Sequence, residues 1–390
     1  MIVNNKDNNK TMGGNIYIPF NKPSLVGNEF KYIENSISKG HISAAGTFSK
    51  MCEDLITKLH SAQTLLTTSC THSLEMCSKL IDLTYGDEII VPSYTFVSTA
   101  SAFSQAGARP VFADINLGDL NISLESAEKL ITKKTKAICI VHYGGAGASP
   151  LEFRDLCKNY NLTLIEDNAH GFGAKYKSQL LGTFGQLSTF SFHETKNITC
   201  GEGGATVFND LQYIDRARIF RDKGTNRDNF LNGIVDKYTW VDDGSSWAMS
   251  DISAAFLYGQ LEKFKEINDK RKQFWNEYKD GLTKWAETFG VAMPKYSTDV
   301  EHVGHIFFLR FKSKSTRDNF IKYMKKNGIQ TPFHYQALHQ APYAKRFNPN
   351  DCPNSNLASD TLVRLPLYYS LESNELNYII TKVNEFKEFN

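Results

Sequence analysis

Residues 187–204 read LSTFSFHETKNITCGEGG, and the rest of the chain is interpreted outward from them. The stretch opens as a β-rich run with Phe190 and Phe192 and turns into a loop bearing Lys196 and Asn197. It closes on Gly201-Glu202-Gly203-Gly204, and a second β run, Ala205-Thr206-Val207-Phe208, follows. Glycines clustered in this way let backbone pass close to a neighbour or take a positive φ. A lysine held between two strands loses hydration when partly buried, so its pKa falls and its amine can condense with a carbonyl. Taken alone, the same residue also reads as a solvated loop lysine, since lysines are mostly exposed.

Upstream, short apolar runs alternate with helical patterns. Ala62 to Thr67 reads as a strand, and Ser69-Cys70-Thr71-His72-Ser73 opens a helix running through Leu83. Glu88–Val91, Pro110–Phe112, Ala137–Val141 and Leu162–Ile165 are further strands; helices are expected from Val97 and over Pro150–Tyr160. This alternation predicts a mostly parallel sheet covered by helices on both faces, with ligands gathered at the carboxyl ends of its strands. Nearer the N-terminus, Ile16–Phe20 reads as a short strand, and Glu29–Ser38 as a helix with Phe30, Ile33 and Ile37 on one face. Residues 1–15 are polar and expected to be disordered. Gly40–Gly46 fits either a substrate lip or a plain connector. Downstream, Asp251 to Leu282 is one long amphipathic pattern; Ile306–Phe311, Thr316–Lys326 and Ile329–Phe333 predict a small α/β domain.

The strand ends carry the chemistry. A hydroxyl-rich segment entering a helix N-terminus (Ser69 to Ser73) presents free N–H groups and the positive dipole end, which suits a phosphate. Leu162–Ile165 runs into Glu166-Asp167-Asn168-Ala169-His170, where a carboxylate could hold a cationic ring nitrogen; an N-cap with a surface histidine is the plainer alternative. Phe96 reads as a stacking aromatic or as core. Together with Lys196 these are the parts that pyridoxal 5'-phosphate (PLP) requires: a phosphate cradle, a ring stack, a pyridinium counter-ion and a Schiff-base lysine.

The composition is compatible. The 390 residues are 41% hydrophobic and 22% charged, with a formal net charge of +2, ordinary for a globular enzyme and pointing to neither nucleic acid nor a membrane surface. Seven cysteines with no C-x-x-C pair read as reduced thiols in a cytoplasmic protein, with no structural metal site.

GDEIIVPSYTFVSTASA, IEDNAHGFGA, STFSFHETKN and GEGGA resemble the DegT/DnrJ/EryC1 sugar aminotransferases, and the likeness extends from IPFNKP (Ile18 to Pro23) to RLPLYYSL (Arg364 to Leu371). SFHETKN, KGTNR and VDKYTW resemble in particular the WecE-like branch that makes dTDP-4-amino-4,6-dideoxyhexoses. The resemblance implies an α/β PLP-dependent transferase of the aspartate aminotransferase type (fold type I), with a mostly parallel central sheet and a smaller C-terminal α/β domain. It implies an N-terminal segment (1–27) packed on the small domain, a large PLP-binding domain (28–260), and a linker helix with the small domain (261–390). Carried over by position, it makes Lys196 the Schiff-base lysine and Asp167 the partner of the ring nitrogen. His170 would lie near the ring hydroxyl and Phe96 on the ring face. Cys70, Thr71 and Ser191 would bind the phosphate. Where some relatives bring an asparagine from the neighbouring subunit, this chain has Ser246-Trp247-Ala248-Met249, so Asn226 or Arg227 is the expected substitute. His334, His339, Lys237 and Tyr238 are the implied substrate contacts; for the two histidines a packed or capping role stays open.

The implied reaction is transamination at C4 of a dTDP-linked 4-keto-6-deoxyhexose, with L-glutamate as donor and the cofactor cycling between PLP and pyridoxamine phosphate. It would run in a homodimer with shared sites and serve surface-polysaccharide (O-antigen) synthesis. The alternatives are amination at C3 of a dTDP-3-keto-6-deoxyhexose and a non-catalytic PLP-binding regulator.

Overall fold

The computed structural model describes residues 16–388, so the N-terminal 1–15 tract lies outside the described residues. Seven strands form the central sheet: β1 (Gln63–Thr67), β2 (Glu88–Pro92), β3 (Arg109–Ala113), β4 (Thr135–Val141), β5 (Thr163–Asp167), β6 (Leu187–Ser191) and β7 (Gly204–Phe208). Their spatial order is β1-β7-β6-β5-β4-β2-β3. Only β7 runs against its neighbours, β1 and β6; the remaining pairs are parallel. Ile89, Ile138, Ile140 and Ile165 are fully buried in this sheet, as strands covered on both faces require.

The sheet's carboxyl edge is where the chain was expected to do chemistry, and local capping builds that edge. Ser69 starts the helix Cys70–Leu80, its hydroxyl accepting the His72 amide at 3.1 Å. The helix ends three residues short of Leu83, because the chain turns at Ile81 and Asp82 takes φ 53°. Gly204 lies against this helix start: a Cβ there would stand 2.4 Å from the Ser69 carbonyl carbon and 2.5 Å from the Cys70 nitrogen. Backbone atoms cannot yield as a flexible side chain does. Gly204→Ala is therefore expected to shift the helix N-terminus, cost about 1–3 kcal/mol of stability, and weaken PLP binding. Thermal melts and cofactor titration check this; an unchanged PLP affinity would disconnect the contact from the cradle.

The amphipathic pattern from 251 to 282 is two helices, Asp251–Leu261 and Phe264–Phe289, broken at Glu262-Lys263. The first packs in the large core. The second starts where Phe264 meets Phe172 edge-on, at 5.5 Å, and carries Phe274, Trp275, Tyr278, Leu282 and Trp285 into a C-terminal core. Phe307–Arg310 pairs antiparallel with Leu362–Leu365 in that core, and Ile379 and Val383 close it. Ile329–Phe333 is not a strand; it makes a single parallel bridge, Ile18 to Ile329. Ile18, the centre of the expected N-terminal strand, is fully buried in this same core.

Helix Glu29–Ser38 forms as expected but is turned over. Glu29 and Ser36 are buried, while Phe30 and Ile37 are 67% and 55% exposed. Polar bonds set this rotation. Glu29 accepts the amides of Val26 and Gly27 and a Gln260 Nε2 donor, and Ser36 donates to Asp251. Asp251 also clamps the Gly40–Gly46 loop, donating its own amide to the Ile42 and Ser43 carbonyls. That loop does not line the cavity described next.

Candidate active site

A cavity of about 550 Å³ opens at the carboxyl ends of β4, β5 and β6, within the range of small-molecule sites. Lys196, Asp167, Cys70, Thr71, Phe96, His170, Ser191 and His334 all line it.

Lys196 sits in the excursion between β6 and β7. The Phe192 and Gly203 backbones hydrogen-bond across its base, Glu194 and Gly201 pair one step further on, and the Lys196 amide closes a turn on the His193 carbonyl. Gly201, at φ 85°, completes this turn. Protein surrounds the ammonium wherever it does not face the cavity. That loss of hydration is the main cause of its pKa falling to about 8, with Arg364 pushing the same way and Cys70 and Asp167 opposing. Among the described residues none hydrogen-bonds or ion-pairs with Nζ. In the folded apoprotein the charged form is disfavoured, so the penalty acts fully below pH 8 and is relieved as pH rises toward 10.5. Reductive trapping of Lys196 by pyridoxal in the cofactor-free protein should be half-maximal near pH 8; a midpoint near 10.5 would show an ordinary solvated lysine.

Asp167 ends β5 and is 5% exposed. Its Oδ2 accepts the Thr99 hydroxyl at 2.8 Å and its Oδ1 the Ala169 amide at 3.2 Å. Burial nevertheless raises its pKa, against the opposing hydrogen bonds and the nearby Lys196 charge. A buried carboxylate in that condition is stabilised by a cation placed beside it. Behind it, His142 and Glu166 form a fully buried pair at 2.8 Å. Since His142 Nδ1 accepts the Ala148 amide, its Nε2 donates to Glu166, which also accepts the amides of Gly182, Phe184 and Gly185. This network fixes the end of β5.

The far side is built for an anion. The amides of Cys70 and Thr71 belong to a helix's first turn and have no acceptor among the described residues; the Thr71 and Ser191 hydroxyls stand beside them. Thr71 also bonds Ser98 at 2.8 Å. Phe96 is 56% exposed, so it is not core; it stands over the cavity 6.2 Å from the Tyr335 ring. His170 takes the Gly144 amide on Nδ1, which leaves its proton on Nε2, toward the Tyr335 hydroxyl. Its ring lies 4.4 Å from that of His305, and His334 stacks beyond at 6.2 Å. Burial holds all three histidines well below their ordinary pKa, so they are neutral.

Several expected residues lie elsewhere within the subunit. His339 bonds Ser93 at 2.6 Å and packs under the Leu338–Gln340 turn, away from the cavity. Asn226 caps the short helix Arg227–Leu231 and exchanges hydrogen bonds with Thr239. Lys237 and Tyr238 are on the same exposed segment. The Ser246–Met249 stretch is held inward, with Trp247 stacked on His72 and its carbonyl accepting the Thr68 amide. Other lining residues escaped the sequence reading: Thr99, Arg271, His305 and Arg364. Thr99 was findable, one helical turn past Thr95 at a strand end. Arg271, His305 and Arg364 come from the C-terminal part with no local signal.

The model of the DegT/DnrJ/EryC1/StrS aminotransferase family matches residues 23–384. The chain belongs to this family. It is 31% identical over 373 residues to GDP-perosamine synthase of Escherichia coli O157:H7, covering 95% of this chain and 98% of that protein. Spr1654 of Streptococcus pneumoniae, solved in its PLP form, superposes with a TM-score of 0.85 at 26% identity, covering 94% and 98% of the two chains. The aminotransferase TlmJ of Streptoalloteichus hindustanus shares the fold, with a TM-score of 0.87 at 24% identity and 94% and 98% coverage. The protein is thus a PLP-dependent sugar aminotransferase of fold type I. No helix among the described residues is long and apolar enough to cross a membrane.

Proposed function

We propose that this enzyme moves an amino group from L-glutamate to C4 of a dTDP-linked 4-keto-6-deoxyhexose for surface-polysaccharide synthesis in the cytoplasm. The observation that carries the reading is one cavity in which a lysine of lowered pKa, a buried carboxylate and a helix-start anion niche line the same space. The niche fits the cofactor: its orphan amides and hydroxyls suit a phosphate, and Asp167 lacks only a cationic partner.

PLP, when bound, supplies an aldehyde for amines and a ring that accepts electrons. The amides of Cys70 and Thr71 with the Thr71 and Ser191 hydroxyls would hold the phosphate, Phe96 would cover the ring face, and Asp167 would keep the ring nitrogen protonated. Neutral His170, placed by the Gly144 amide and Tyr335, would face the ring hydroxyl. With a pKa of about 8, the Lys196 amine is neutral often enough near pH 7–8 to attack and to accept a proton. Once charged, the same Nζ would deliver a proton to C4 of the sugar, which as a ketone carries none. His334, held by the Tyr143 hydroxyl at 2.8 Å, would contact the sugar.

Asn226, Lys237 and Tyr238 would complete the cavity of a second copy. Their segment is exposed and apolar, with Leu231, Ile234 and Trp240 59%, 69% and 78% exposed, and the outward face of Phe30 and Ile37 adds to the apolar surface. A second reading, GDP in place of dTDP, is favoured by the 31% identity to a GDP-perosamine synthase. Incubation with L-glutamate, PLP and either dTDP-4-keto-6-deoxyglucose or its GDP-linked counterpart, followed by NMR of the product, tests both. Amination of neither sugar would overturn the C4 reading.

A further inference from the structure

Since no described residue bonds to the Lys196 Nζ, the place of that amine depends on the loop that carries it. The next residue along the chain is tied down on every donor. The Asn197 amide nitrogen donates to the Asn268 Oδ1 and to the Val303 carbonyl, both at 2.9 Å, and its Oδ1 accepts from His305 Nδ1 at 2.8 Å. A carbonyl only accepts, so Val303 admits one orientation of the amide, and that orientation puts the His305 proton on Nδ1. None of the three partners belongs to the sheet. Asn268 lies on the helix Phe264–Phe289 and is itself held, donating to the Phe172 carbonyl at 2.9 Å. Val303 and His305 flank Gly304 in a turn fixed by Arg271, whose Nε and Nη2 donate to the Gly304 and His305 carbonyls at 3.2 and 2.9 Å. That turn is packed directly on the helix: a Cβ at Gly304 would stand 2.7 Å from the Arg271 carbonyl carbon. A further tether to the Lys196 loop, from Asn21 to the Glu194 carbonyl at 3.1 Å, is a single exposed bond.

We infer that Asn197 is the positioning residue for the Lys196 amine: its three hydrogen bonds to the C-terminal part hold the loop so that Nζ stays in the cavity. The loop's other bonds cannot do this. Those between Phe192 and Gly203 and between Glu194 and Gly201 fix only its base, and the Lys196 amide closes a local turn that moves with the loop. The Asn197 bonds instead refer the loop to His305 and Arg271, which line the same cavity. Adjacent Cα atoms are about 3.8 Å apart, so a displacement of residue 197 passes to residue 196 with little loss. The electrostatics agree. A lysine free to swing toward solvent recovers its hydration, whereas burial holds Lys196 down at about 8. The groups whose charges bear on it are Asp167, Cys70, Arg364, His170, His305 and His334, and the variants below change none of them.

The inference rests on the reading of Lys196 as the amine that meets PLP, and the test separates the two. Wild type, Asn197→Ala and Asn268→Ala are compared. In each cofactor-free protein, pyridoxal is trapped reductively across a pH series and the modified lysine is located by peptide mass spectrometry; kcat and KM are then measured with PLP. Asn197→Ala should move the trapping midpoint upward by at least roughly one pH unit, as Nζ regains water. Its kcat should fall about a hundredfold, while the KM of each substrate stays within about threefold. Asn268→Ala removes one of the three bonds and should fall between, and it carries the test if Asn197→Ala does not fold. A purely structural asparagine would lower the melting temperature and leave the midpoint of the folded protein where it was. A midpoint that stays near 8 in the folded variants would therefore overturn the inference. A wild type trapped near 10.5, or at another lysine, would overturn the reading of Lys196 itself.

Discussion

Lys196→Ala is expected to lower turnover by at least roughly ten-thousand-fold, because one side chain supplies both the amine nucleophile and the proton carrier. Among the residues of its own subunit that line the cavity, Lys196 is the sole lysine. The fold should survive, since Nζ contributes no hydrogen bond or ion pair and its removal deletes a charge that burial already disfavours. The apoprotein's melting temperature near pH 7 should therefore hold or rise. The variant should still bind PLP through the Cys70–Thr71 helix start, but without the absorbance that marks a covalent link to protein. Stopped-flow kinetics and a spectrum decide it. Turnover at the wild-type rate would remove the basis of the mechanism.

The second large effect belongs to Asp167→Asn. The asparagine Oδ1 can still accept the Ala169 amide, and its Nδ2 can donate to the Thr99 hydroxyl, which is free to turn its own proton to Thr95, so geometry is largely retained while the negative charge is lost. Turnover should drop by about a hundred- to ten-thousand-fold, as expected when a charge that stabilises the reacting state is removed. Stability should move the other way. Burial raises the Asp167 pKa above its ordinary value, so the ionised form is the disfavoured one in the folded apoprotein. For an acid shifted upward, that cost is absent at low pH and acts fully at neutral pH. The neutral asparagine escapes it, so the variant apoprotein should melt at or above the wild-type temperature at pH 7. With PLP present the order should reverse, because wild type alone gains the pairing with the ring nitrogen. An apoprotein strongly destabilised by this change would mean that Asp167 is structural.

Much of the α/β order was legible because the strands are short apolar runs bounded by turn residues. Pro150–Tyr160 carries its proline in the first turn and forms as predicted. Asp167 and Ser191 could be placed because each ends a strand of a parallel sheet, where the chain must leave toward the same edge. The glycine cluster was readable for the same local reason: Gly201 takes a positive φ, and Gly204 admits a close backbone. Where bonds to distant residues compete with a local pattern, the reading failed. Phe30 and Ile37 face outward because Glu29 and Ser36 are claimed by Gln260 and Asp251, more than two hundred residues away. His339 carries the same imidazole as His334, yet only tertiary packing turns one to Ser93 and the other to the cavity.

By itself, the order of residues along the chain determined the strand ends and the chemical groups set on them, since period and turn chemistry are properties of neighbouring residues. Packing of the C-terminal part against the sheet decided which groups face one another. Arg271, His305 and Arg364 line the cavity with Lys196 only because that core folds back over it, and no spacing in the sequence records a contact made between such distant parts of the chain.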